Sequence, residues 1–447
     1  MNLNVSNILK KEPSEDTALQ SKIETRQARI GVLGLGYVGL PLAVEFGKSG
    51  FSVAGFEVDP SRIRTLLEGR SHIADVPSEE VRILLEKKRF TVTTNFSRLG
   101  AMDVVIICVP TPLSKAKDPD ISYIAKATEA IARGLHRQQL IVLESTTYPG
   151  TTREFMLPIL EAQGLKAGRD FFLAFSPERI DPGNKQFHLT NTPKVVGGIT
   201  PACRDLATLL YSQIVDQVIS VSSAEAAEMV KILENTFRAV NIGLVNELAL
   251  ICDRLHLNVW EVIRAASTKP YGFMPFYPGP GLGGHCIPID PIYLSWKMKS
   301  LNFPARFIEL AGEVNSHMPD FVVQKTVLAL NQRKKAVNGS RILLLGVAYK
   351  ANVSDTRESP ALDVMHLLLG LGADVGFHDP HVKTVEIEGH RFSGKPYSPA
   401  LLKSMDAVIV TTAHDTFNPT EILQNAPLVI DTRNITVGSQ ASNLVRL

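Results

Sequence analysis

The sequence predicts an α/β protein: two doubly wound sheet domains joined by a central helical region with a long linking helix. Three observations carry this. A strand, glycine-rich turn, helix, strand pattern occupies 29–59. A second such pattern occupies 341–379. Between them, from about residue 222, apolar residues recur at helical spacing. A chain of 447 residues suits two or three domains. The expected divisions are an extension at 1–28, sheet domains at 29–222 and 336–447, and a helical middle at 223–335.

The first 28 residues are polar, rich in Ser, Glu and Lys, and read as a flexible extension. They contain no apolar run of the kind a secretory signal needs. Strand 30–33 then leads through a glycine turn into a helix at about 38–48, ended by Gly50, and a second strand at 52–57. Gly34, Gly36 and Gly39 fit G-x-G-x-x-G in its required place, after a strand and opening a helix. In that pattern the first glycine allows a tight turn, the second lets backbone approach a pyrophosphate, and the third lets helix and strand pack closely. The helix N-terminus adds N–H groups and a positive dipole end. Glu57, at the end of the second strand, stands where a carboxylate would bond a ribose, with Asp59 as the near alternative. A carboxylate there repels a 2′-phosphate, which favours NAD over NADP, although Arg62 close by is a residue that could accommodate one.

Further strands lie within 103–112, 140–150 and 171–183, each running into a polar loop. In a doubly wound sheet such loops face the ligand crevice, which makes Thr111, Thr146, Glu178 and Arg179 candidates. From about residue 222 a long helix carries Met229, Ile232, Leu233, Phe237, Val240, Leu244 and Leu248 at helical spacing. Lys231, Asn235 and Arg238 share one face of it. A second helical run covers about 305–333. The later α/β pattern offers strand 342–345, a helix at about 360–369 and a strand ending at Asp379. Its loop keeps one glycine, Gly346, and carries Lys350 and Arg357. That suggests a second phosphate-bearing ligand held by cationic side chains, with a cleft between the two sheet domains.

A net charge of +2 gives no nucleic-acid footprint, and no apolar run reaches the roughly 18 residues that cross a bilayer. Cys108, Cys203, Cys252 and Cys286 are scattered, which indicates neither a metal site nor a disulfide framework and suits a reducing cytoplasm. The first three sit in apolar strand or helix patterns and read as core. Cys286 differs. It lies in "GPGLGGHCIPIDP", a loop that can be neither helix nor central strand. A thiol near a nicotinamide suggests covalent catalysis on an aldehyde, with Asp290 placed to orient water or take a proton. His285 reads as a loop-packing residue.

Seven stretches in order, "GLGYVGLPLA", "VPTP", "ESTTYPGTT", "FSPERIDPGN", "KILENTFRAVNIGLVNE", "PGPGLGGHCIPIDP" and "YKANVSDTRESPALDV", resemble the UDP-glucose/GDP-mannose dehydrogenase family from Arg29 onward. Three of them look most like its UDP-N-acetylglucosamine 6-dehydrogenase branch, which serves bacterial surface polysaccharides. The resemblance implies two oxidations at C6 of a nucleotide sugar with two NAD and no release of the aldehyde. Carried over by motif, Cys286 is the nucleophile, and Lys231 stabilises an oxyanion or shuttles a proton. Asn235 helps hold the oxyanion, Asp290 and Thr146 arrange water, and Glu178 assists thioester hydrolysis. Tyr37, Val38, Glu57, Thr111 and Thr146 match cofactor contacts. Arg179, Ile180, Lys231, Asn235, Arg238, Gly283, Tyr349 and Lys350 match substrate contacts, with Arg433 a further nucleotide contact. Arg357 matches a residue able to reach a neighbouring subunit's cofactor site. Lys269 is the available counterpart of a basic residue that crosses subunits in the UDP-glucose branch. The resemblance also implies at least a homodimer, formed through the long helix.

Other readings are a two-electron hydroxyacid-type dehydrogenase, which needs a lysine but no thiol, and a non-catalytic NAD-responsive protein. UDP-GlcNAc is the expected substrate, with UDP-GalNAc, UDP-ManNAc and UDP-glucose as alternatives, since a pocket separates such small differences by only about 1–3 kcal/mol.

Overall fold

The apolar runs of the first pattern become an eight-stranded sheet. In the computed structural model, which describes residues 18–73, 75–114, 118–181, 184, 186–284 and 286–447, the strands are Arg29–Leu33 (β1), Ser52–Phe56 (β2), Phe90–Thr93 (β3), Val104–Ile107 (β4), Leu140–Leu143 (β5), Phe172–Phe175 (β6), Lys194–Gly198 (β7) and Val218–Ser220 (β8). Their order is β3-β2-β1-β4-β5-β6-β7-β8, parallel throughout except at β6–β7. The first six strands thus follow the 3-2-1-4-5-6 dinucleotide-binding order, which reverses between β1 and β4. Ile30 and Val32 face one core, while Leu33, Phe56 and Val105 face the other. Burial on both faces explains why "VVII" and "LIVL" read as unbroken apolar runs rather than alternating ones.

The second sheet contains Arg341–Leu345 (β9), Asp374–His378 (β10), Ala407–Val410 (β13), Val429–Asp431 (β14) and Leu444–Arg446 (β15), while Thr384–Ile387 (β11) and His390–Ser393 (β12) form a separate hairpin. The order β10-β9-β13-β14-β15 is the five-stranded doubly wound arrangement, reversing between β9 and β13.

One expectation about organisation is corrected. Structure begins before Arg29: Ala18–Glu24 is a helix whose Leu19 and Ile23, one turn apart, are buried in the first core. Residues 1–17 of the expected extension lie outside the described residues. By internal packing the chain groups into two units, Met1–Ile232 and Leu233–Leu447. Met318, Val322 and Leu330 of the helix Arg306–Gln332 share a core with Ile342 and Leu344 of β9, while Val245, Ala249, Cys252, Val259, Trp260 and Ile263 form a smaller core of the middle region. The long helix Ala224–Arg254 runs through the boundary. Of the apolar positions that reveal it, Ile232 is buried, whereas Met229, Leu233, Phe237 and Leu244 are exposed. Among the described residues, no helix is long and apolar enough to cross a membrane.

Candidate active site

In the first unit the three glycines meet three different constraints. Gly34 has φ +87°, and a Cβ on it would stand 2.5 Å from the Cys108 carbonyl oxygen. A Cβ on Gly39 would collide with the Gly34 carbonyl. Gly36 has nothing within 4 Å of a built Cβ, so space is left where a pyrophosphate approaches backbone. Val38 precedes the helix Gly39–Lys48, and Tyr37 beside it is exposed. This cradle fits a dinucleotide. Glu57 is buried at the end of β2. Its Oε2 accepts from the Leu35 N–H (3.1 Å) and its Oε1 from the Val58 N–H (2.8 Å). The acid therefore fixes the glycine loop; the Leu35, Val58 and Asp59 N–H groups and Arg62 occupy its lone-pair sites, so a ribose hydroxyl bonds it by sharing or displacing one of them. Arg62 pairs with both Glu57 (3.3 Å) and Asp59 (3.7 Å). Thr111 and Thr146 stand on the loops that leave the carboxyl ends of β4 and β5, on either side of the expected crevice.

The loop after β6 carries Glu178, Arg179 and Ile180. Lys231 is buried and donates to the Glu178 backbone carbonyl (2.6 Å). The Glu178 carboxylate is turned into a buried ion cluster. Its Oε1 accepts from the Arg179 and Ile180 N–H groups (both 2.7 Å), and its Oε2 pairs with Lys194 (3.3 Å). Lys194, on β7, also pairs with Glu144 (2.8 Å), which accepts from the Tyr211 hydroxyl. Burial alone would raise the Glu178 carboxyl, but Lys194, the loop N–H groups and Lys231 outweigh it and hold the group below its usual range. Arg179 donates to the Pro193 carbonyl (2.7 Å). One turn before Lys231, Glu228 is fully buried and accepts from the Gly150 N–H (2.5 Å), the Thr152 N–H (2.9 Å) and the Thr152 hydroxyl (2.6 Å). Burial pushes its carboxyl up to about 7 despite these donors. Glu228 thus ties the loop that bears Thr146 to the helix that bears Lys231.

In the second unit the cysteine loop is held by its glycines. A Cβ on Gly283 would stand 2.9 Å from the Tyr349 Cβ, and one on Gly284 (φ +95°) 2.9 Å from the Tyr349 ring. The Gly284 N–H donates to the Arg357 carbonyl (3.2 Å). Upstream, the Gly279 N–H donates to the Asn246 side chain (3.0 Å), and a Cβ there would strike the Arg433 guanidinium. Only residues without side chains let this loop lie on the turn carrying Tyr349 and Lys350. Cys286 is partly exposed. Its carbonyl accepts from the Asp290 N–H (2.8 Å), which places it one turn ahead of the helix Asp290–Lys299. Asp290 is buried and accepts from the Asn235 side-chain amide, so the expected partners meet. Arg433 has no carboxylate partner among the described residues. Its Nε donates to the Thr411 carbonyl (2.9 Å), and burial pulls it down to about 10. A part-buried guanidinium with no carboxylate partner among the described residues suits an anionic ligand.

Arg357 pairs with Asp355, Arg238 is exposed on the long helix, and the Lys269 ammonium lies over the Tyr271 ring. Cys108, Cys203 and Cys252 are buried, as their patterns imply. His285 lies outside the described residues. Sequence reading passed over Glu144, Lys194 and Glu228. Glu144 sits inside the quoted "ESTTYPGTT", and Glu228 lies on the Lys231 helix, so position was a signal; burial was not visible.

A dinucleotide cradle, a phosphate-seeking second α/β unit and a glycine-held cysteine define the class: an NAD-dependent dehydrogenase of nucleotide sugars. The chain belongs to the UDP-glucose/GDP-mannose dehydrogenase family. It matches that family's NAD-binding domain at 28–215, central domain at 225–317 and UDP-binding domain at 343–438. It is 38% identical over 394 residues to a UDP-N-acetyl-D-glucosamine 6-dehydrogenase of Pseudomonas aeruginosa, covering 88% of this chain and 92% of that protein. It is 35% identical over 422 residues to an NDP-N-acetyl-D-galactosaminuronic acid dehydrogenase of Ralstonia nicotianae, covering 91% and 96%. The solved structure of a UDP-D-ManNAc dehydrogenase from Pyrococcus horikoshii superposes with a TM-score of 0.85 at 34% identity, covering 94% of this chain and 98% of that one.

Proposed function

We propose that the protein oxidises the C6 hydroxyl of UDP-GlcNAc to the carboxylate through a Cys286 thioester, supplying a surface-polysaccharide precursor. The observation that carries this reading is Cys286 itself: a partly exposed thiol one turn ahead of a helix that opens on a buried Asp290 bonded to Asn235. Bound NAD accepts one hydride in each of the two oxidations. Lys231 takes up the C6 hydroxyl proton and then stabilises oxyanions. The Cys286 thiolate adds to the aldehyde carbon, forming a C–S bond and a thiohemiacetal. Loss of the second hydride leaves a thioester. Water oriented by Asp290 and Thr146 attacks it, the C–S bond breaks, and the thiolate is regenerated. One alcohol, two NAD and one water become one carboxylate, two NADH and three protons.

Within this reading the Glu178 carboxylate, held by Lys194 and two N–H groups, supports hydrolysis by fixing the loop whose backbone carbonyl at Glu178 accepts from Lys231. Arg433, Tyr349 and Lys350 receive the nucleotide. The exposed apolar positions Leu233, Phe237, Leu244 and Ile251 support a homodimer through the long helix; light scattering should give twice 48.9 kDa, and a 48.9 kDa species would refute it. We place the enzyme in the cytoplasm, in keeping with four free cysteines.

Relatives named for GlcNAc, GalNAcA and ManNAc all align over most of the chain, so the sugar is the open choice. Measured kcat/KM for UDP-GlcNAc, UDP-GalNAc, UDP-ManNAc and UDP-glucose should rank UDP-GlcNAc first. A higher value for any other sugar replaces it as the substrate.

A further inference from the structure

The two α/β units solve one problem in different ways. In the first, the loop from β1 to its helix has five residues, 34–38, and Glu57 pins it through the Leu35 N–H while His72 bonds the Leu35 carbonyl (2.8 Å). In the second, the loop from β9 to the helix Pro360–Gly370 has fourteen, 346–359. Asp379 occupies the position corresponding to Glu57 at the end of its strand and grips only the loop's start, with Oδ2 accepting from the Val347 (2.7 Å) and Ala348 (3.1 Å) N–H groups. The loop's middle needs another anchor. His414 provides it from the loop after β13, across the point where strand order reverses. It is buried, its Nδ1 faces the Asn352 N–H (3.0 Å), and its Nε2 faces the same Asp379 oxygen (3.0 Å).

The chemistry fixes the tautomer. A backbone N–H can only donate, so Nδ1 must offer a lone pair and the proton must sit on Nε2, donating to the carboxylate. Asn352 has φ +62°, a conformation that L residues adopt at a cost, and its side chain exchanges hydrogen bonds with Asp415 (2.8 and 3.1 Å). Asn352 is thus held from both sides, three positions after Tyr349 and two after Lys350.

We propose that His414, as the neutral Nε2–H tautomer relayed from Asp379, is a positioning residue that holds the 346–352 loop in the form that receives the UDP moiety. This rests on the reading of Tyr349 and Lys350 as nucleotide contacts. His414 touches no substrate; it acts through Asn352.

The test is calorimetric titration of the full-length protein with UDP and, separately, with NAD. His414→Phe keeps the ring's bulk but removes the acceptor. His414→Asn keeps an acceptor near the Nδ1 position. UDP affinity should fall about tenfold or more in the Phe variant and recover in large part in the Asn variant, since only the latter can still accept from the Asn352 N–H. NAD affinity should be unchanged in both. Long-range 1H–15N correlation of 15N-histidine-labelled protein should show one histidine signal, lost in His414→Phe, with an unprotonated Nδ1. Equal UDP affinity in wild type and the Phe variant overturns the proposal, as does a protonated Nδ1 on that histidine or a parallel loss of NAD affinity. A wild type that does not bind UDP overturns the nucleotide-site reading first, and the proposal with it.

Discussion

Glu228 makes a fully buried carboxylate part of the machinery, and its titration has a readable sign. Its carboxyl is raised from 4.5 to about 7 by burial. The folded protein therefore binds a proton that the unfolded chain has already released between those values. Stability is fully present below pH 4.5 and is lost as pH rises towards about 7, by about 3 kcal/mol. Glu228→Gln is neutral at every pH and should lack that slope. Urea midpoints of wild type and variant between pH 5 and 8 should diverge in this direction; parallel curves would show that Glu228 is ionised throughout. The residue also illustrates what a sequence hides. Cys286 and Asp290 were legible because glycines and prolines mark an unusual loop, and Asn235 because it shares a helical face with Lys231. Glu228, Lys194 and Glu144 were not, because their partners lie 16 to 78 positions away and only folding removes the water around them.

At the scale of elements, the glycines of the cysteine loop do the positioning. Gly284 combines a left-handed φ of +95° with the Tyr349 ring 2.9 Å from where a Cβ would stand. Gly284→Ala therefore meets backbone strain of about 1–2 kcal/mol as well as a displaced ring. Its kcat/KM for the UDP-sugar should drop at least tenfold while the NAD KM stays near wild type. Full activity would mean that the loop need not lie on Tyr349. β1, β2, β9 and the helices Gly39–Lys48, Arg306–Gln332 and Pro360–Gly370 were legible to within a residue or two, whereas short strands such as β3, β7, β8 and β13–β15 were not read. The helix Ala18–Glu24 was missed because two buried side chains, Leu19 and Ile23, are too few to stand out from polar neighbours.

For the whole molecule, the two doubly wound sheets were legible from their repeated strand–turn–helix–strand patterns. The grouping into two units was not, because it depends on the helix Arg306–Gln332 choosing the second sheet as its packing partner. The functional claim at this scale is that one chain performs both oxidations without releasing an aldehyde, and it stands on Cys286. The most direct measurement is NADH formed per UDP-GlcNAc consumed, by wild type and by Cys286→Ser. The reading expects two NADH per sugar in the wild type and little or no complete turnover in the serine variant. One NADH per sugar, or a serine variant as active as wild type, would contradict it and leave the thiol without a chemical role.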